Sequence, residues 1–180
     1  SGSRIILFSR EIYIERSDFL EDPQKKFFRL GPDREVRLKH AYYITCTDFI
    51  WDDNGKITEV HCTYDPATKG GWSDDGRKVR GTLHWVSAPH AIDAEVRLYD
   101  HLFSIENPEA GGDDFIQHLN PDSLTILKNC KLEPGLKNAK LGTWYQFLRL
   151  GYFCLDMDST RDSPVFNRAT GLRDSWAKKK

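Results

Sequence analysis

Residues 34–39 read Arg34-Glu35-Val36-Arg37-Leu38-Lys39. Apolar and charged side chains alternate, and alternation at period two predicts a β-strand. Successive side chains on a strand leave on opposite faces. Val36 and Leu38 then belong to one face, and Arg37 and Lys39 to the other. Two positive charges side by side on a rigid strand suit an anionic polymer. They would equally suit a solvated edge strand, where lysine and arginine discourage pairing with another chain. The strand alone leaves both readings open.

Outward from this strand the chain remains strand-rich. Residues 41–47 continue as Ala-Tyr-Tyr-Ile-Thr-Cys-Thr, Asp52-Asp53-Asn54-Gly55 is a turn signal, and 56–64 return, so a hairpin is predicted over about 40–64. Upstream, 10–15 alternate, whereas 17–28 are polar with a proline break and read as a short helix and loop. Downstream, 66–76 form a Gly/Asp loop, 82–86 and 94–99 read as strands, and 104–114 are a Pro/Gly/Asp connector. Residues 114–119 suggest one or two helical turns stopped at Asn120-Pro121. Strands follow at 124–127, 143–150 and 152–155. Short strands separated by turn signals favour an antiparallel barrel or sandwich. The composition break near residue 104 predicts two β units, mainly 10–103 and mainly 104–180, with strands shared between them.

Composition narrows the class. The 180 residues are 39% hydrophobic and include 10 Phe, 7 Tyr and 5 Trp, enough bulk for packed cores. Net charge is −1, so nucleic-acid binding would have to come from a local cluster of cations. The four cysteines form no Cys-x-x-Cys pair, which argues against zinc. Cys46 and Cys62 lie in apolar runs and are expected to be buried free thiols, which points to a reducing, cytoplasmic compartment. No long apolar stretch indicates a membrane span. The opening Ser1-Gly2-Ser3 suggests a piece of something larger or a cloning scar.

No catalytic signature is present: there is no Gly-x-Ser-x-Gly, Walker loop or nucleotide fingerprint. The acidic pairs Asp52-Asp53, Asp74-Asp75 and Asp113-Asp114 sit in turns and read as turn and cap residues. Cations and aromatics do interleave, at Phe27-Phe28-Arg29, at Arg77-Lys78-Val79-Arg80, and at Trp144-Tyr145-Gln146 with Arg149. Single-stranded nucleic acid is held by such mixtures: cations follow phosphates, aromatics stack on splayed bases, and Arg or Gln reads base edges. Many of the aromatics, Trp85 and Phe147 among them, are expected in the core.

Long strings in a fixed order carry a resemblance: EVRL at 35–38, CTYD at 62–65, DGRKVRGTLHWVSA at 75–88, EVRLYDHLF at 95–103, GYFCLD at 151–156, PVFNR at 164–168 and GLRDSWA at 171–177. With them the chain closely resembles, over nearly its whole length, the C-terminal anticodon-binding region of glutaminyl-tRNA synthetases. The resemblance implies an all-β fold of two antiparallel β-barrels that grip the anticodon loop of glutamine tRNA, the second of them incomplete in this chain and sharing strands with 1–9. By it, Arg29 falls where the family reads the third anticodon base. Arg37 and Lys39 fall near the first base, Gln146 and Arg149 around the middle base, and Arg173 and Ser175 at C-terminal positions approaching the same loop.

Three departures mark this chain. A family lysine before Arg29 is Phe28, a family acidic residue after Gln146 is Leu148, and Lys39 replaces an arginine and so offers no two-pronged contact. The resemblance further implies a monomeric parent enzyme that ligates glutamine to tRNA with ATP and Mg²⁺ in an N-terminal catalytic domain. This chain by itself is expected to be inactive and to need no cofactor or metal. Alternatives are the matching region of an archaeal or eukaryotic-type glutamyl-tRNA synthetase, a ribosomal-RNA-binding barrel, and a protein-interaction barrel.

Overall fold

In the computed structural model, which describes residues 3–109 and 114–172, the opening strand forms as its alternation predicts. Strands are numbered in chain order. Strand β2 is Glu35–Leu38; Val36 and Leu38 are buried while Arg37 is only partly so. The chain reverses through Lys39 and His40, with His40 at φ 61°, and the Leu38 N–H donates to the Tyr42 carbonyl at 2.8 Å. It returns as β3 (Tyr43–Trp51) and, after the Asp52 turn, as β4 (Ile57–Asp65). Asp52 closes that turn by accepting from the N–H groups of Asn54 (3.0 Å) and Lys56 (2.8 Å), the role its sequence context predicts.

Strand β5 (Thr82–Leu83) then lies parallel to β2, giving the sheet order β4-β3-β2-β5. β2 is therefore an interior strand, and its cations do not guard a sheet edge. Strands β1 (Ile12–Ile14) and β6 (Trp85–Ser87) form a separate antiparallel pair. The predicted helix in 17–28 is a single 3-10 turn, Arg16–Asp18. These elements make one compact unit, Ile5–Pro89, whose core includes Phe19, Leu30, Val36, Leu38, Ile44, Leu83 and Trp85.

The second unit takes the chain from His90 onward, with Arg4. The composition break at 104 thus falls inside it. Its sheet is built from β7 (Ile92–Tyr99), β8 (Leu124–Leu132), β9 (Trp144–Phe147), β10 (Gly151–Leu155) and β11 (Val165–Thr170), in the order β8-β7-β11-β10-β9. The turn predicted at 114–119 is the 3-10 segment Phe115–His118. Phe153 and Phe166 are almost fully buried at the centre, and Phe147 stacks on Phe153 at 4.2 Å.

The all-β class holds, with two differences from the barrel expectation. Among the described residues none of the sheets closes on itself, and the pairs β2–β5 and β7–β11 are parallel. Parallel neighbours need a long crossover. The β3–β4 hairpin with its following loop provides it in the first unit, and the span from β8 to β10 in the second.

Candidate nucleic-acid interface

In the first unit the sheet register positions the cations. Arg37 is opposite Tyr43 on β3 and Thr82 on β5, and its N–H donates to the Gly81 carbonyl at 2.9 Å. A Cβ on Gly81 would sit 2.7 Å from the Phe28 carbonyl oxygen and 3.0 Å from Val36. The segment bearing Arg29 and the strand bearing Arg37 thus both rest on Gly81, and only glycine permits that approach.

Arg29 donates from Nε to Oδ1 of the buried Asp18 at 2.9 Å and from Nη1 to the Phe28 carbonyl at 3.1 Å. Asp18 is held in turn by the 3-10 segment, where its N–H donates to the Glu15 carbonyl at 2.8 Å. The guanidinium is fixed on one edge, and Nη2 has no hydrogen-bond partner among the described residues. Lys39 follows β2: its N–H donates to the Leu83 carbonyl and its carbonyl accepts from Trp85 Nε1, both at 3.0 Å. Its backbone is locked, while its ammonium forms no ion pair among the described residues.

Arg37 lies 5.4 Å from the Tyr43 ring centre and 5.0 Å from that of Trp72. Its one hydrogen bond from the side chain among the described residues goes to Tyr43 Oη, at 3.2 Å. Arg77, which shares the cation–aromatic motif in the sequence, has a different role. It makes two 3.0 Å hydrogen bonds to Glu35 and pairs with Asp65 and Asp75. Its guanidinium also lies 5.1 Å from the Tyr43 ring. These carboxylates raise the Arg77 pKa above its ordinary value. Asp75, held chiefly by the Arg77 N–H and then by neighbouring side chains, is lowered to about 2. Arg77 is thus committed to holding loop to sheet.

In the second unit β9 alternates, with Trp144 and Gln146 exposed and Tyr145 and Phe147 partly buried. Gln146 is paired with Tyr152 on β10, and that tyrosine is also exposed. Trp144, Gln146 and Tyr152 make a neutral polar-aromatic face. Arg149 is not on a strand, as its run of neighbours suggested. It occupies the β9–β10 turn at φ 67°, and the Leu150 N–H donates to the Phe147 carbonyl at 3.0 Å. The next residue but one, Gly151, packs so tightly on the Thr170 carbonyl that no Cβ fits, which pins the turn to β11. Arg173 and Ser175 lie outside the described residues.

Two exposed aromatic residues beside these positions carry no sequence signal beyond their type. Trp72 is, in the sequence, simply a tryptophan in a polar loop, and Tyr152 gains its place only by pairing with Gln146. The cysteines are free, but Cys62 is exposed, contrary to expectation, because β4 is the outer strand of its sheet and shows most of its side chains to solvent. Among the described residues no helix is long and apolar enough to cross a membrane.

Comparison with known families agrees with this architecture. Two family models, both described as tRNA synthetases class I (E and Q), anti-codon binding domain, match residues 1–65 and 82–156. The chain belongs to this family of anticodon-binding domains. Among its curated relatives are glutamine–tRNA ligases. That of Nitrobacter winogradskyi is 54% identical over 98% of this chain and 31% of the relative. That of Rhodopirellula baltica is 52% identical over 99% and 30%, and that of Clostridium perfringens 51% over 98% and 32%. The chain therefore spans about a third of the length of these relatives.

Proposed function

We propose that this chain reads the anticodon loop of glutamine tRNA as part of a glutamine–tRNA ligase. The observation that carries the reading is β2. An interior strand has no edge to protect, yet it carries the partly exposed Arg37 and leads directly into Lys39, with the segment bearing Arg29 resting beside it on Gly81. Cations on rigid backbone, one of them edge-fixed with a donor to spare, suit phosphates and base edges. The polar-aromatic face of Trp144, Gln146 and Tyr152 supplies what unstacked bases need. Arg29, Arg37, Lys39, Gln146, Arg149, Arg173 and Ser175 remain the proposed contacts.

In this proposal the ligation itself, with ATP and Mg²⁺, belongs to an N-terminal catalytic domain of the same protein, a monomer acting in the cytoplasm. Among the described residues no group of three His, Cys, Asp or Glu side chains could hold a metal ion, and no step is assigned to this chain beyond RNA recognition. The test is a binding titration with glutamine-type and glutamate-type anticodon stem-loops at two salt concentrations. The proposal expects tighter binding of the glutamine type and a steep loss of affinity with salt. Preference for the glutamate type would assign the chain to the glutamyl branch of the family, and salt-independent or absent binding would remove the RNA reading.

A further inference from the structure

Trp72 is a large apolar side chain that the unit goes to some length to place in solvent. After β4, Asp65 caps a 3-10 turn by accepting from the Ala67 N–H at 2.9 Å. The fully buried Thr68 locks that turn to the sheet: its Oγ1 accepts from the Tyr43 N–H at 2.8 Å and donates to the Asp65 carbonyl at 2.7 Å. The Gly71 N–H then donates to the Thr68 carbonyl at 2.9 Å, and Gly70 and Gly71 take φ values of 88° and 86°. Two consecutive left-handed residues swing the chain back over β2, a path open to glycine. Gly71 is also the point of contact, since a Cβ there would lie 3.1 Å from Arg37 Cδ.

The result is a ring centred 5.0 Å from the Arg37 guanidinium, with Trp72 73% exposed. The Arg37 guanidinium is close to two rings, that of Tyr43, which is buried, and that of Trp72, which is not. The Arg37 Nε is itself buried with no hydrogen-bond partner among the described residues, so cation–aromatic contact adds to the single hydrogen bond to Tyr43 in holding the guanidinium. A tryptophan that only packed the loop would turn its ring inward. This one is backed by a cation and keeps an open aromatic surface beside the cationic strand.

We propose that Trp72 is a stacking platform for an unpaired nucleobase of the bound RNA, held in place by Arg37, which is left to meet the adjoining phosphate. This rests on the RNA reading above and adds a contact that no sequence motif marks. Stacking on an aromatic side chain is tolerant of base identity, so Trp72 should contribute affinity with little sequence preference.

The experiment titrates the chain, and its Trp72→Ala and Trp72→Phe variants, with a fluorescently labelled glutamine-type anticodon stem-loop across a salt series. Trp72→Ala should weaken binding roughly 5- to 150-fold, the range for loss of one stacked base. Its dependence of affinity on salt should stay unchanged, because no charge is removed. Trp72→Phe should keep most of the affinity. The emission difference between the wild type and Trp72→Phe isolates Trp72 from the other tryptophans, and saturating RNA should quench it. If the wild type binds and Trp72→Ala binds within twofold of it, the platform is wrong while the RNA reading survives. The platform is equally wrong if Trp72→Ala weakens binding but the isolated emission is indifferent to RNA, which would mark a structural role. If the wild type itself does not bind, both readings fall.

Discussion

Arg77 and Arg97 do the same work in the two units. Arg77 joins Glu35, Asp65 and Asp75, tying the loop after β4 to β2. Arg97 on β7 donates to Glu95 at 2.8 Å and to Asp158 at 2.9 Å, with Asp156 at 3.4 Å, tying the turn after β10 to the sheet. In both cases one guanidinium gathers three carboxylates, and in both its pKa is raised by them. The exposed faces of the two units differ. The first unit presents Arg29, Arg37 and Lys39, whereas the second presents Trp144, Gln146 and Tyr152. A net charge near zero is thus compatible with a local cluster of cations in one unit and a neutral polar-aromatic face in the other. Under the proposed RNA reading the two faces should differ in salt dependence, since loss of a cation changes the salt slope and loss of a neutral side chain does not.

The largest effects should come from the cores, and they test whether each unit rests on its own. Phe166→Ala should destabilise by about 3–5 kcal/mol and Leu38→Ala by about 2–5 kcal/mol, from lost burial plus the cavity left behind. Hydrogen exchange should show the first deprotecting β7, β10 and β11, and the second β2, β3 and β5. Equal loss of protection in both sheets after either substitution would contradict the division into two cores.

Arg29 comes next. Arg29→Ala removes an edge-fixed donor, so stem-loop affinity should fall by about 1–3 kcal/mol and discrimination at one anticodon position should blur. Unchanged preference at every anticodon base would withdraw Arg29 from base reading and leave it as the partner of Asp18.

A smaller pair of effects bears directly on the contrast between the faces. Lys39→Ala should weaken all RNAs alike and reduce the slope of log affinity against log salt by about 1. Gln146→Ala should shift base preference and leave that slope alone. If the two variants exchange these signatures, the division of labour between the units is wrong.

The smallest effect is acid sensitivity. Asp65 and Asp75 in the first unit and Asp156 in the second all have lowered pKa values, Asp75 to about 2. A carboxylate with a depressed folded pKa binds its proton more readily when unfolded. Its contribution is present above the ordinary value of 3.8 and, for Asp75, is lost as pH falls towards about 2. Urea unfolding followed between pH 5 and 2 should show falling stability. Arg77→Gln should flatten the part due to Asp65, whose largest influence is the Arg77 side chain, and only partly that due to Asp75, which also has the Arg77 N–H.

Much of the local structure is legible in the sequence. The 40–64 hairpin follows from a strong turn signal between two β-rich runs, and β2 from strict alternation. Strand β11 gives no such signal, because Val165 and Phe166 are followed by Asn167 and Arg168 and no period-two pattern survives. It is a strand because β7 and β10 flank it and take up its backbone hydrogen bonds. Arg149 reads as part of a strand because its apolar neighbours mask the turn that Gly151 forces against β11. Arg77 reads as one more RNA-facing cation, since two of its three carboxylate partners, Glu35 and Asp65, come from distant positions in the sequence.

By itself the sequence determined the alternation of β2, the Asp52 turn, the all-β class and, through ordered strings, the family. Those properties depend on side-chain period and on short-range backbone preference, which act between near neighbours. Only the tertiary structure decided that β2 is interior, that Arg77 is a clamp and Arg29 is anchored on Asp18, and that Trp72 stands over Arg37. Each of these depends on which distant strands and loops meet, and such meetings are settled by burial and hydrogen-bond pairing across the whole unit.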